Sequence, residues 1–118
     1  MHTNQAVGKY GERIALRYLQ KRGYEILETN WRGDAGELDI IAAKQPALII
    51  VEVKTRRGLE YGHPALAVTP RKLGRMKRLA LQWLGQQDTF YPEVRFDVIS
   101  IVRPLTGAAQ VEHLQAVI

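Results

Sequence analysis

Between residues 4 and 22 apolar side chains return at three- and four-residue steps, at Val7, Tyr10, Ile14, Ala15, Tyr18 and Leu19, which is the period of one helical face. The spacing predicts a helix over 4–22, stopped by Gly23. The period then shortens. Tyr24, Ile26 and Leu27 predict a short strand over 24–31, and Arg32-Gly33-Asp34-Ala35-Gly36 reads as a loop. Residues 38–43 and 47–53 are aliphatic runs parted by Lys44-Gln45-Pro46, hence a hairpin. Leu48-Ile49-Ile50-Val51 has no polar face, which predicts a central strand covered on both sides.

Residues 56–68 contain Gly58, Gly62 and Pro64 and read as an irregular, exposed loop. Thr69 suits an N-cap and Pro70 the first helical position, where its missing N–H costs nothing, so a second helix opens there. Its apolar stripe is Leu73, Met76, Leu79, Ala80, Trp83 and Leu84, and Gly85 ends it. Residues 94–102 predict a further strand, and 111–118 another after a turn at 104–107. The order is αβββαβ(β), an α/β class. The helical connection between the strands at 47–53 and 94–102 is long enough for a right-handed crossover, which makes those strands parallel. The expected architecture is a mixed sheet flanked by helices. With 118 residues and no repeat or linker, one domain is expected.

Composition narrows the classes. A chain with 46% hydrophobic and 25% charged residues folds, and the absence of cysteine removes disulfides, thiol nucleophiles and thiolate zinc sites. The longest apolar run, 47–51, is far short of the roughly 20 residues that cross a bilayer, and no signal-peptide pattern opens the chain. A cytoplasmic protein with no membrane partner is the expectation. The net charge of +5 is unevenly placed: residues 54–78 hold eight basic groups and one acidic, whereas residues 1–53 hold seven of each. Such a block attracts polyanions, phosphate backbones above all, although a solvated basic face serving solubility would look the same.

The chemistry is carried by Gly36-Glu37-Leu38-Asp39 and, one hairpin later, Glu52-Val53-Lys54. Residues two apart on a strand share a face, so Glu52 and Lys54 project together, as do Glu37 and Asp39. With Gln45 and Pro46 as a two-residue turn, Lys44 opposes Ala47 and Asp39 opposes Glu52. Directly opposed Cβ atoms lie about 5 Å apart, and like charges there destabilise a sheet. A positive group is therefore expected between them, either Lys54 or a hard divalent cation such as Mg²⁺. A metal so held activates water and neutralises charge on a phosphoryl group, with Lys54 placed to orient the attacking water. The plain alternative is an ion pair of Glu52 with Lys54 at a strand end. A one-residue slip would turn Asp39 to the other face. Glu12 falls at the edge of the helical arc of Val7, Gly8, Gly11, Ala15 and Leu19, looking toward the sheet, and Gly8 and Gly11 would let that helix approach closely.

Gly11-Glu12, Asn30-Trp31-Arg32, Gly36-Glu37-Leu38-Asp39, Val51-Glu52-Val53-Lys54-Thr55-Arg56, Lys72 and Phe96-Asp97-Val98 together resemble the YraN-type family of small bacterial proteins, over nearly the whole chain. That family resembles the restriction-endonuclease-like superfamily of PD-(D/E)XK nucleases, Holliday junction resolvases in particular. The resemblance implies an αβββαβ core, Glu12, Asp39, Glu52 and Lys54 at the nuclease site, and Asp39, Glu52 and Val53 as ligands to Mg²⁺ or Mn²⁺. Leu38 stands where the superfamily motif has proline.

For the partner, Arg56 and Arg57 after the E-x-K strand and Arg71, Lys72, Arg75 and Arg78 on the second helix are the expected phosphate contacts. DNA is the expected polymer, and a homodimer would suit a junction substrate. Trp31 is expected in the core, Tyr61 could stack on a base, and His63 is a lone loop histidine; His2 and His113 are too scattered for a zinc site. Three function classes stay open: a metal-dependent deoxyribonuclease, a non-catalytic nucleic-acid-binding module on the same fold, and an interaction protein whose carboxylates are structural.

Overall fold

A computed structural model describes residues 2–57, 63 and 68–117. Helix α1 (His2–Lys21) is followed by strands β1 (Glu25–Gly33), β2 (Gly36–Lys44) and β3 (Ala47–Arg56), helix α2 (Pro70–Leu84), and strands β4 (Glu93–Val102) and β5 (Gln110–Leu114). One five-stranded sheet runs in the order β1-β2-β3-β4-β5, antiparallel except between β3 and β4, which are parallel. The mixed sheet and αβββαβ core expected from periodicity are present, and α2 makes the crossover.

Each face of the sheet buries one helix. Ala15 and Leu19 of α1 pack with Ile40, Ala42, Ile49, Val51, Ile99 and Ile101. On the opposite face Met76, Leu79, Ala80 and Trp83 of α2 pack with Leu38, Ile41, Leu48, Ile50 and Phe96. The unbroken apolar run of β3 is thereby explained, since Ile49 and Val51 serve one layer and Leu48 and Ile50 the other. Each of these side chains contributes about 1.5–3 kcal/mol by leaving water. Thr69 caps α2, its hydroxyl accepting the Lys72 N–H at 3.2 Å, with Pro70 in the first turn.

The last strand ends at Leu114, short of the 118 expected, and two further boundaries differ in ways that bear on the cleft end of the sheet. The stretch 32–36 is no loop: β1 and β2 pair down to Gly33–Gly36, and only Asp34 and Ala35 turn the chain. The hairpin end is pinned to α2, where the Gln82 side chain accepts the Asp34 N–H at 2.9 Å. A Cβ on Gly33 would crowd that Gln82 oxygen and the tips of Leu79 and Trp31, so glycine lets these side chains close over the hairpin end. Arg56 likewise belongs to β3, because the parallel ladder with β4 continues to Arg56–Val102. It is 6% exposed, so its expected place in an open loop is corrected: pairing with β4 makes it the last residue of β3.

Candidate functional site

Register decides the site. The β2–β3 pairs run from Lys44–Ala47 to Ile40–Val51, the alignment the two-residue turn at Gln45-Pro46 requires, and they stop one step short of Asp39 and Glu52. Beyond Ile40–Val51 the ladder gives way to a side chain: Asp39 Oδ2 accepts the main-chain N–H of Val53 at 2.9 Å. At this end of β3 lies a cleft of about 540 Å³. Its walls are Val7, Gly8 and Glu12 of α1, Asp39 of β2, residues 52–57 at the end of β3, and Lys72 of α2.

Glu12 reaches the cleft because α1 rides close on β3. A Cβ on Gly11 would fall 1.8 Å from the Thr55 hydroxyl oxygen, so only glycine permits this approach. Gly8, expected to serve likewise, has nothing within 4 Å of where its Cβ would stand. The Glu12 carboxylate is held from the other side by Asn30, whose Nδ2 donates to Glu12 at 3.1 Å and to Glu37 at 3.3 Å. Glu37 also bonds Arg32 at 3.4 Å, is exposed, and does not line the cleft. Asn30 has a φ of 49°, the left-handed region that asparagine tolerates better than most residues. Its role was missed in the sequence, where the available signal was an asparagine inside a strand, a residue depleted there.

The charge balance of the cleft is unusual. Burial, and next the Glu52 carboxylate, push the Asp39 carboxyl up to about 7; Glu12 adds to the rise, while the Val53 N–H and Lys72 oppose it. The cation expected beside Glu52 is present, but it comes from α2: Lys72 Nζ forms an ion pair with Glu52 Oε2. Lys54, on the same face of β3 two residues on, is exposed, and among the described residues no carboxylate pairs with it. The reason is reach. Lys72 begins α2 above the end of β3, whereas Lys54 lies one residue pair further out along its own strand.

Among the described residues no group of three or more histidine, aspartate or glutamate side chains is gathered tightly enough to hold a metal by itself. The donors suit Mg²⁺ or Mn²⁺ nonetheless. Mg²⁺ is commonly held by one or two carboxylates with several waters retained, and a desolvated Asp39 beside Glu52 is a pair short of positive charge.

The other expected contacts divide. Glu12, Asp39, Glu52, Val53, Lys54, Arg56, Arg57 and Lys72 all line the cleft. Arg71, Arg75 and Arg78 do not; they stand exposed along α2. Arg75 lies over Gly36, its Cδ 3.7 Å from where a Cβ there would be, and Arg78 Nη2 pairs with Asp34 Oδ2 at 2.9 Å. His63 is exposed, Trp31 packs against the α2-side core as expected, and Tyr61 lies outside the described residues.

The model of the uncharacterised protein family UPF0102 matches residues 11–101, from the glycine beside Glu12 to the last buried isoleucine of β4. The chain belongs to the UPF0102 family. The YraN-type resemblance read from the motifs pointed to this family. A UPF0102 protein of Beutenbergia cavernae is 50% identical over 117 residues, covering 99% of each chain. Relatives from Rhodococcus opacus and Syntrophomonas wolfei are 47% and 43% identical, covering 94% or more of each chain. UPF0102 relatives thus match the chain through both helices and all five strands.

The Phe96-Asp97-Val98 motif serves a second buried polar group, remote in function from the cleft. Asp97 is fully buried and accepts Arg95 Nε and Nη2 at 2.9 and 2.8 Å, His113 Nε2 at 2.7 Å and the Ala116 N–H at 3.0 Å. Burial alone would raise its pKa, but the bonds from His113, Arg95 and Ala116 outweigh that and hold it below the ordinary carboxylate value. The Tyr18 hydroxyl lies 3.2 Å from His113 Nδ1, so both ring nitrogens have partners. This cluster ties β5 and α1 to β4. His113, set aside in the sequence for its place near the end of the chain, is a structural residue.

No described helix is long and apolar enough to cross a membrane.

Proposed function

We propose that the chain is a metal-dependent hydrolase of phosphodiester bonds in DNA. The carrying observation is the cleft in which Asp39, desolvated and raised to about 7, meets Glu52, with Glu12 on the opposite wall. Asp39, Glu52 and the Val53 carbonyl would hold Mg²⁺ or Mn²⁺. The ion, when bound, activates water and stabilises charge on the phosphoryl group. The chain's own groups do the rest. Lys54 presents an exposed ammonium to the cleft, where it orients the attacking water and offsets phosphoryl charge. Glu12, fixed by Asn30, accepts a hydrogen bond from that water. Arg57 and the exposed Arg71 and Arg75 bind the flanking phosphates. A cytoplasmic site of action and a two-fold dimer on branched DNA belong to this reading.

One observation favours a second reading, a nucleic-acid-binding module without catalysis. Lys72 already supplies Glu52 with a cation from within the chain. A single panel of branched, flapped, single-stranded and duplex DNA, assayed for gel shift and cleavage with EDTA, Mg²⁺ or Mn²⁺, separates the readings. The hydrolase cuts only with divalent metal and loses cutting in Asp39→Ala and Glu52→Ala. Binding without cutting under any metal supports the module, and cutting that survives both substitutions rejects the assigned site.

A further inference from the structure

Lys72 of the cleft is committed to a carboxylate, and that carboxylate, Glu52, is the one whose charge does most, after burial, to raise the pKa of Asp39. Its side chain is 29% exposed and that of Glu52 14%, so the pair is neither open to solvent nor sealed. The lysine springs from the first turn of α2, between the basic side chains of Arg71 and Arg75 on the outer surface and the acids within. On a flexible four-carbon stem its ammonium can exchange one oxygen anion for another without the helix moving. Two kinds of ligand compete for that arrangement. A divalent cation needs Glu52 freed, and a phosphate oxygen at the mouth offers Lys72 another anion.

We infer that Lys72 is a built-in counter-ion that couples the two ligands: it holds Glu52 while the cleft is empty, is displaced by a divalent cation, and turns to a substrate phosphate. The inference rests on the metal-binding reading and adds a regulation to it. Metal alone must break the Lys72–Glu52 pair and then lie beside a displaced ammonium, so it binds weakly. Phosphate alone must draw Lys72 away and leave Glu52 beside Asp39 without its ion-pair partner, so it too gains little from Lys72. Together each removes the other's penalty. By linkage, whatever factor DNA adds to metal affinity, metal adds to DNA affinity. The cleft is thus set against retaining a divalent ion in the absence of nucleic acid.

Mn²⁺ binding followed by electron paramagnetic resonance, in the absence of cleavage substrate, tests this directly. Lys72→Met removes the competing charge and keeps the length of the chain, and should bind Mn²⁺ on the order of tenfold more tightly than wild type. Lys72→Arg, which keeps the charge, should stay close to wild type. A short duplex with non-hydrolysable phosphorothioate linkages should tighten Mn²⁺ binding to wild type several-fold and do so much less for Lys72→Met. Equal or weaker Mn²⁺ binding by Lys72→Met overturns the inference, as does a DNA effect that is the same in both proteins. Far-ultraviolet circular dichroism verifies that each variant is folded, and the wild-type comparison with and without DNA needs no variant at all. The hydrolase reading fails separately, through absence of cleavage. Tighter Mn²⁺ binding by Lys72→Met without cutting keeps the counter-ion and discards the enzyme; cutting with no Lys72 effect on Mn²⁺ does the reverse.

Discussion

Asp39 Oδ2 accepts the Val53 N–H at 2.9 Å, so a carboxylate completes a main-chain hydrogen bond where the β2–β3 ladder stops. The contact fixes the acid in the cleft and buries it beside Glu52, which is why its pKa rises to about 7.

That rise makes a pH prediction with a definite sign. An acid whose folded pKa exceeds its unfolded value of about 3.9 subtracts stability as pH climbs through that interval, because the folded state holds the proton longer. Without metal, stability should therefore fall between pH 4 and 7. Asp39→Asn keeps an acceptor for Val53 and removes the charge. Urea unfolding in EDTA should find it more stable than wild type by about 1–3 kcal/mol at pH 8 and equal near pH 4. Equal stability at both pH values would contradict the buried, crowded carboxyl.

The Asp97 cluster predicts the opposite dependence. A carboxyl held below its unfolded pKa contributes stability that is complete above about pH 4 and is lost as pH falls through the folded value. Asp97→Ala strands Arg95 and His113 and should cost about 3 kcal/mol at pH 7. In denaturant titrations that deficit should shrink below pH 4, as the wild-type carboxylate is itself protonated.

The two glycines on α1 should behave oppositely. Gly11→Ala drives a methyl into Thr55 and should destabilise by about 1–3 kcal/mol, part of it recovered in the Gly11→Ala, Thr55→Ala double variant. Gly8→Ala meets nothing and should stabilise by about 0.5–1 kcal/mol through helix propensity. Thermal melts of the four proteins decide it.

Asn30 combines a left-handed backbone with a bridge to Glu12. Asn30→Ala loses both and should cost about 1–2 kcal/mol, whereas Asn30→Gly keeps the backbone conformation and should fold within about 0.5 kcal/mol of wild type. Both should lose most of any metal-dependent cleavage, since Glu12 is left unheld. Full cleavage by Asn30→Gly would remove Glu12 positioning from the mechanism.

The exposed arginines of α2 should not contribute equally to DNA binding. Arg71→Ala and Arg75→Ala should each reduce the salt slope of binding by about one phosphate contact. Arg78 is engaged with Asp34, so Arg78→Ala should reduce it less. Gel shifts across a salt series read the slopes, and a larger effect for Arg78 would place the nucleic acid over the hairpin tip.

What could be read from the sequence alone was whatever is periodic or local. Period and turn chemistry determined the two helices, the central strand, the cap at Thr69-Pro70 and, through the two-residue turn at Gln45-Pro46, the β2–β3 register from Lys44–Ala47 to Ile40–Val51. These rest on geometry repeated every two or 3.6 residues, which a single strand or helix carries by itself. The tertiary structure decided what depends on how helices settle on the sheet. Lys72 instead of Lys54 meets Glu52, Asn30 reaches across 18 residues of chain to Glu12, Arg56 is drawn into β3 by β4, and His113 closes on Asp97. Periodicity names the face a side chain occupies; the depth and rotation of one element against another, set by contacts such as Gly11 on Thr55, choose its partner.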